Sequence, residues 1–198
     1  MTFEKKLEEQ IRKVISTWRE DGIYAISFLL TNNEESVYKG ISNFPEFSVG
    51  YNTENDCEDD DLLSEERWNF ACWSQNNVVL VDAEPEHSEL ANELIQWYEK
   101  NGVKDVGFED EDKMYDEECR YIGKGPNGYW ELMSLVSDIA RKLQTEGVVR
   151  KQFGNIPIIV HDLEYSWFVS KMTENANPNG EAKVFLEYLL SSSEEIED

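Results

Sequence analysis

The segment Ile23 to Leu30 constrains this chain more than any other, because it is apolar at both alternating sets of positions and rich in β-formers. A strand that shows water neither face belongs in the middle of a sheet, covered on both sides. Helices to supply that cover are legible on either side of it. Before it, Leu7, Ile11, Val14, Ile15 and Trp18 recur at helical spacing over the first twenty residues, and Gly22 follows as a stop. Further on, Leu90, Leu94, Ile95, Trp97 and Tyr98 make one face of a helix that starts near Pro85 and ends at Gly102. Leu132, Leu135, Val136, Ile139 and Leu143 make the apolar face of another, with Gly147 as its stop. Glu164 to Met172 and Glu181 to Leu190 read as two last helices, separated by a loop with Asn177-Pro178.

Asn32 to Glu35 reads as a turn, and Ser36 to Ile41 and Glu46 to Tyr51 as the shorter strands of a meander. Arg67 to Trp73 fits either a helical turn or a buried irregular segment, and Val78 to Val81 either a fourth strand or the lead-in to the helix at Pro85. Ile156 to Val160 is a strand whose Pro157 suits its first residues or a sheet edge. Strands grouped early and helices grouped late predict an α+β fold with an antiparallel-dominated sheet, as a single domain over residues 1–190 followed by an acidic, flexible tail over 191–198. The 198 residues, with six Trp among 12% aromatics, supply ample material for a core.

Charge is the second constraint. Forty-two acidic residues against 18 basic ones leave a formal charge of −24, and much of the excess lies in two tracts, Glu54 to Glu66 and Asp105 to Glu118. Such a field repels nucleic acid and anionic lipid and speeds encounter with a basic protein surface. The candidate partner-binding residues are therefore Glu58, Asp59, Asp60 and Asp61 in the first tract and Glu109, Asp110, Glu111 and Asp112 in the second. Trp68 and Trp73 adjoin the first tract and are candidate aromatic anchors.

Motifs that would signal catalysis or a cofactor are incomplete. Gly123, Gly125 and Gly128 match the spacing of a dinucleotide-binding fingerprint, but the strand that must precede it is missing, and no cofactor is expected. Asp56-x-Glu58-x-Asp60 resembles half a calcium loop, with Asp61 where the turn glycine belongs and Arg67 in place of the bidentate glutamate. His161 beside Asp162 could orient a base, yet no nucleophile motif accompanies the pair. Cys57, Cys72 and Cys119 lack metal-ligand spacing and read as free thiols. With no signal-peptide pattern and no membrane span, a cytoplasmic location is expected.

Five segments carry a family resemblance: Tyr24 to Phe28, Gly50 to Glu54, Arg67 to Trp73, Ile156 to Tyr165, and Asn177-Pro178. On these the chain resembles the bacterial domain-of-unknown-function family 4303, over nearly its whole length. Members look like immunity proteins found beside polymorphic toxins. The resemblance implies a non-enzymatic protein that neutralises a basic toxin domain, a nuclease among the options because a nuclease cleft must hold a polyanion. It carries over no catalytic residues. The alternatives are an enzyme using His161 and Asp162, and an acidic adaptor protein.

Overall fold

The opening residues form α1 (Phe3–Thr17), which buries Phe3, Leu7, Ile11 and Ile15 at a four-residue spacing. The described residues of this computed structural model are all except 33, 34, 58, 119, 166 and 195–198. After α1 the chain enters β1 (Ile23–Asn32), whose first eight residues are all buried, and then β2 (Pro45–Thr53). Two short helical pieces follow, α2 (Glu65–Trp68) and a 3-10 turn at Phe70–Cys72, before β3 (Val78–Val81). A 3-10 turn at Pro85–His87 leads into α3 (Ser88–Lys100), and then come α4 (Glu111–Met114), α5 (Tyr129–Thr145) and α6 (Val148–Phe153). The last elements are β4 (Ile158–His161), α7 (Trp167–Ala176) and α8 (Lys183–Glu194).

The fold is α+β, with eight α-helices among the described residues and one mixed, mostly antiparallel sheet. Strand order is β3-β2-β1-β4, so β1 is central as its two apolar faces require. β4 runs parallel to β1 in the register Ile26↔Ile158 to Leu29↔His161, and β3 runs antiparallel to β2. Pro157 immediately precedes the edge strand β4, and its carbonyl accepts from the Ile26 amide at 3.0 Å. Among the described residues no helix is long and apolar enough to cross a membrane.

Contacts divide the chain into two compact units, one of residues 1–18, 30–49 and 78–136, the other of 19–29, 50–77 and 137–198. In the first, α1 packs on α3, which buries Ala91, Leu94 and Tyr98. Lys6 bridges the two helices to Glu89 and Glu93, and the Trp97 indole donates to Glu4 at 2.8 Å. The second unit is built around β4, against which α7 lies, with α8 against α7.

The outer edge of β4 is closed by side chains. Asn177 accepts from the Ile158 amide through Oδ1 (2.9 Å) and donates to the Ile158 carbonyl through Nδ2 (2.7 Å), as a neighbouring strand would. One turn earlier, Thr173 Oγ1 accepts from the Val160 amide at 3.0 Å. Gln144 donates to Asn177 Oδ1 (3.0 Å) and to the Ile156 carbonyl (2.9 Å), so the plug is itself held. An open edge is a template for unwanted pairing, and here its polar groups are already taken.

Several local expectations are corrected. Ser36 to Ile41 is not a strand: Lys39 and Gly40 both have positive φ, which folds the segment into a tight turn closed by reciprocal Tyr38 and Ile41 bonds of 3.0 Å. Two segments left open are decided: Arg67 and Trp68 end the helical turn α2 and Phe70–Cys72 is a 3-10 turn, while Val78 to Val81 is a strand; the second acidic tract contains the helical turn α4. Helix α6 had no counterpart in the sequence reading. Helix α8 runs on through Glu194, four residues into the segment expected to be flexible, and 195–198 lie outside the described residues, as do the two central residues, 33 and 34, of the Asn32 to Glu35 turn.

Candidate partner-binding surfaces

The two acidic tracts fall in different units, so each is described on its own. In the first, Glu54 grips Arg67 through two bonds, Nη1 to Oε2 at 2.7 Å and Nη2 to Oε1 at 2.6 Å. The guanidinium lies 4.0 Å from the centre of the Tyr24 ring and 5.6 Å from that of Trp68. Arg67 holds the Glu54 carboxyl below the usual carboxylate range, and Glu54 in turn raises the affinity of Arg67 for its proton. Beyond this pair the chain makes successive aspartate turns: Asp59 Oδ1 accepts from the Asp61 amide and Asp61 Oδ1 from the Leu63 amide, both at 2.9 Å. Asp59, Asp60 and Asp61 are exposed, and Glu58 lies outside the described residues.

The tryptophans beside this tract are not at its surface. Trp68 and Trp73 are each 4% exposed, and both indole N–H groups are spent on internal carbonyls, Trp68 on Leu62 (2.6 Å) and Trp73 on Arg67 (3.0 Å). Their rings pack edge-on to Tyr24, and Trp68 also meets Phe185. The expected role as exposed anchors is therefore corrected: both belong to the core, because the helical turns of 65–72 point them inward. The apolar side chains that do stand out from this tract are Leu62 and Leu63.

The second tract is a folded lobe. Gly107 donates to the Asn127 carbonyl and Asn127 returns a bond to Phe108, both at 2.9 Å; further on, Tyr115 bridges Tyr121, and the Ile122 amide bonds Met114 at 2.8 Å. Asp116 accepts from the Arg120 amide (2.9 Å) and from its guanidinium (2.8 Å), which lowers its proton affinity. Glu109, Glu111 and Asp112 are exposed and Asp110 half-buried, with Lys113 3.0 Å from Asp110. Two exposed rings stand in the same segment, Phe108 at 61% and Tyr115 at 42%. The sequence reading missed both. The available signal was an aromatic placed among acidic residues, outside any apolar periodicity.

The remaining sequence candidates lie apart from the two acidic tracts or outside their carboxylates. His161 is fully buried, with Nδ1 donating to the Asp162 carbonyl (2.7 Å) and Nε2 accepting from Ser27 Oγ (2.8 Å). Burial lowers its pKa to about 4. The Asp162 carboxylate accepts from the Glu164 amide (2.8 Å), so the ring is oriented by the backbone and not by an acid. Ser27 is as buried as the ring. In the glycine fingerprint, Gly125 and Gly128 have positive φ and sit against Tyr129 and Tyr98, where a Cβ would collide with the first ring and crowd the second. No group of three metal-ligating side chains occurs among the described residues. Cys57 and Cys72 are free thiols, and Cys119 lies outside the described residues.

Four of the five segments that carry the family resemblance meet at the Arg67 cluster. Asn52 donates to the Tyr24 hydroxyl (2.9 Å), Tyr24 donates to the Arg67 carbonyl (2.6 Å), and Tyr165 donates to the Trp68 carbonyl (2.7 Å) while accepting from the Phe70 amide (3.1 Å). The fifth, Asn177-Pro178, plugs the edge of β4. No family model, curated protein or solved structure matches the chain, so the resemblance rests on these segments alone.

Proposed function

We propose that this chain is a non-enzymatic binding protein of the cytoplasm that neutralises a basic protein, a toxin domain in the family it resembles, by holding it against acidic surface. The observation that supports this reading most directly is the second tract, where Phe108 and Tyr115 are exposed in the same short segment as exposed Glu109, Glu111 and Asp112. Aromatic contact area ringed by charge is the composition of a binding hot spot. The first tract adds exposed Asp59, Asp60 and Asp61 beside Leu62 and Leu63.

If a toxin domain is encoded next to the gene, co-expression with it should rescue growth. Replacing Glu109→Gln, Asp110→Asn, Glu111→Gln and Asp112→Asn together should slow association by about tenfold at low salt, and far less once the Debye length falls to about 3 Å near 1 M salt. Stopped-flow mixing measures both. Unchanged rates at low salt, with rescue intact, would remove the electrostatic interface.

A further inference from the structure

The first unit carries a groove of about 470 Å³ beside the second tract. Its apolar wall is Ile41, Ile95, Val103, Val106 and Phe108. The ring of Phe108 stands 61% exposed on a backbone that is fixed, since its amide donates to the Asp105 carbonyl at 2.9 Å and its carbonyl accepts from Asn127. The opposite lip is fixed as well: Asn43 donates to the Gly107 carbonyl at 3.0 Å, and a Cβ on Gly107 would sit 1.8 Å from the Ser42 carbonyl oxygen. The groove is thus preformed, and binding into it costs little ordering.

Charge selects the occupant. From Glu99 to Asp112 six carboxylates stand against Lys100 and Lys104, and Glu99 and Asp105 line the groove itself. A second copy of this chain would bring another −24 to the same place, which disfavours self-association. We infer that the groove seats an apolar side chain of a basic protein segment, with lysines or arginines flanking that side chain and paired to the acidic rim. This rests on the reading of a basic partner and names where its apolar contact lands. The rim charges draw the segment in and the groove then retains it, so the groove governs dissociation more than approach.

Fluorescence anisotropy on the full chain separates the possibilities with three labelled probes: a short lysine-rich peptide with a central leucine-phenylalanine pair, the same peptide with serines at the pair, and a glutamate-rich peptide that keeps the pair. The first should bind at least about tenfold more tightly than the second, and Phe108→Ser should erase that difference while leaving the serine peptide unchanged. The acidic peptide should not bind. Phe108 is exposed, so the variant keeps its fold, which circular dichroism checks. If the two lysine-rich peptides bind equally and Phe108→Ser changes neither, the groove is overturned while the basic-partner reading stands. If no lysine-rich peptide binds, both fall. If Phe108→Ser instead breaks a dimer in sedimentation, the occupant is a second copy and the inference is wrong.

Discussion

Asn177→Ala should destabilise the protein by about 3 to 5 kcal/mol, seen as a lower urea midpoint at an unchanged slope. The side chain makes four bonds inside the second unit: it accepts from Ile158 and Gln144 and donates to the carbonyls of Ile158 and Thr173. It is 4% exposed, and water does not replace what alanine removes. Each buried group left without a partner costs about 1 to 3 kcal/mol, and the amide and carbonyl of Ile158 are both so placed. Asn177→Asp is no rescue, because a carboxylate cannot donate to the two carbonyls it would face. Thr173→Val, which keeps the shape and removes a single hydroxyl, should cost about 1 to 2 kcal/mol. A loss below about 1 kcal/mol for Asn177→Ala would show that the edge of β4 is closed some other way. Exposing that edge should also raise aggregation on heating, which light scattering reads.

That role of Asn177 was not legible in the sequence, where it stands in a loop-like run of Asn, Pro and Gly. Polar residues of that kind are common in turns, and only the parallel placement of β4 at the sheet edge gives one of them a strand to imitate. What was legible came from burial periodicity. Ile23 to Leu30 announced a central strand, and the apolar faces of α1, α3 and α5 announced their helices, because those patterns repeat over two turns or more. Arg67 to Trp73 spans too few residues for a period to declare itself. The direction of Trp68 and Trp73 therefore depended on tertiary contacts with Tyr24 and Phe185 that no local rule supplies. The same limit hid the turn at Lys39 and Gly40, since a lysine at positive φ contradicts its ordinary preference. In the candidate surface, the carboxylates were legible from composition and the exposed rings were not. Phe108 looks like core material until the bonds to Asp105 and Asn127 are seen to hold it outside.

Acidification should destabilise the protein through His161, by about 2 kcal/mol at pH 5 and about 3 kcal/mol near pH 4. In the folded protein burial lowers its pKa to about 4, whereas in the unfolded chain it returns to about 6.5. Well above pH 6.5 the ring is neutral in both states and contributes no pH dependence. Between those values the unfolded chain takes up a proton that the folded one refuses, so stability falls as the pH drops through this window and levels off below it. The refusal has a structural cause: Nε2 accepts from Ser27, the rings of Phe70 and Tyr165 lie 5.0 and 5.6 Å away, and burial strips a cation of its hydration. His161→Gln can keep both hydrogen bonds without titrating. It should be less stable than the parent at neutral pH and lose less on going from pH 6.5 to pH 5. The carboxyls of Glu54 and Asp116, both held below their ordinary range, add a slope of the same sign at lower pH that the two proteins share. Urea titrations of the pair at each pH decide the matter: parallel losses between pH 6.5 and pH 5 would mean that His161 accepts its proton in the folded state, and that the Ser27 hydroxyl turns away to let it.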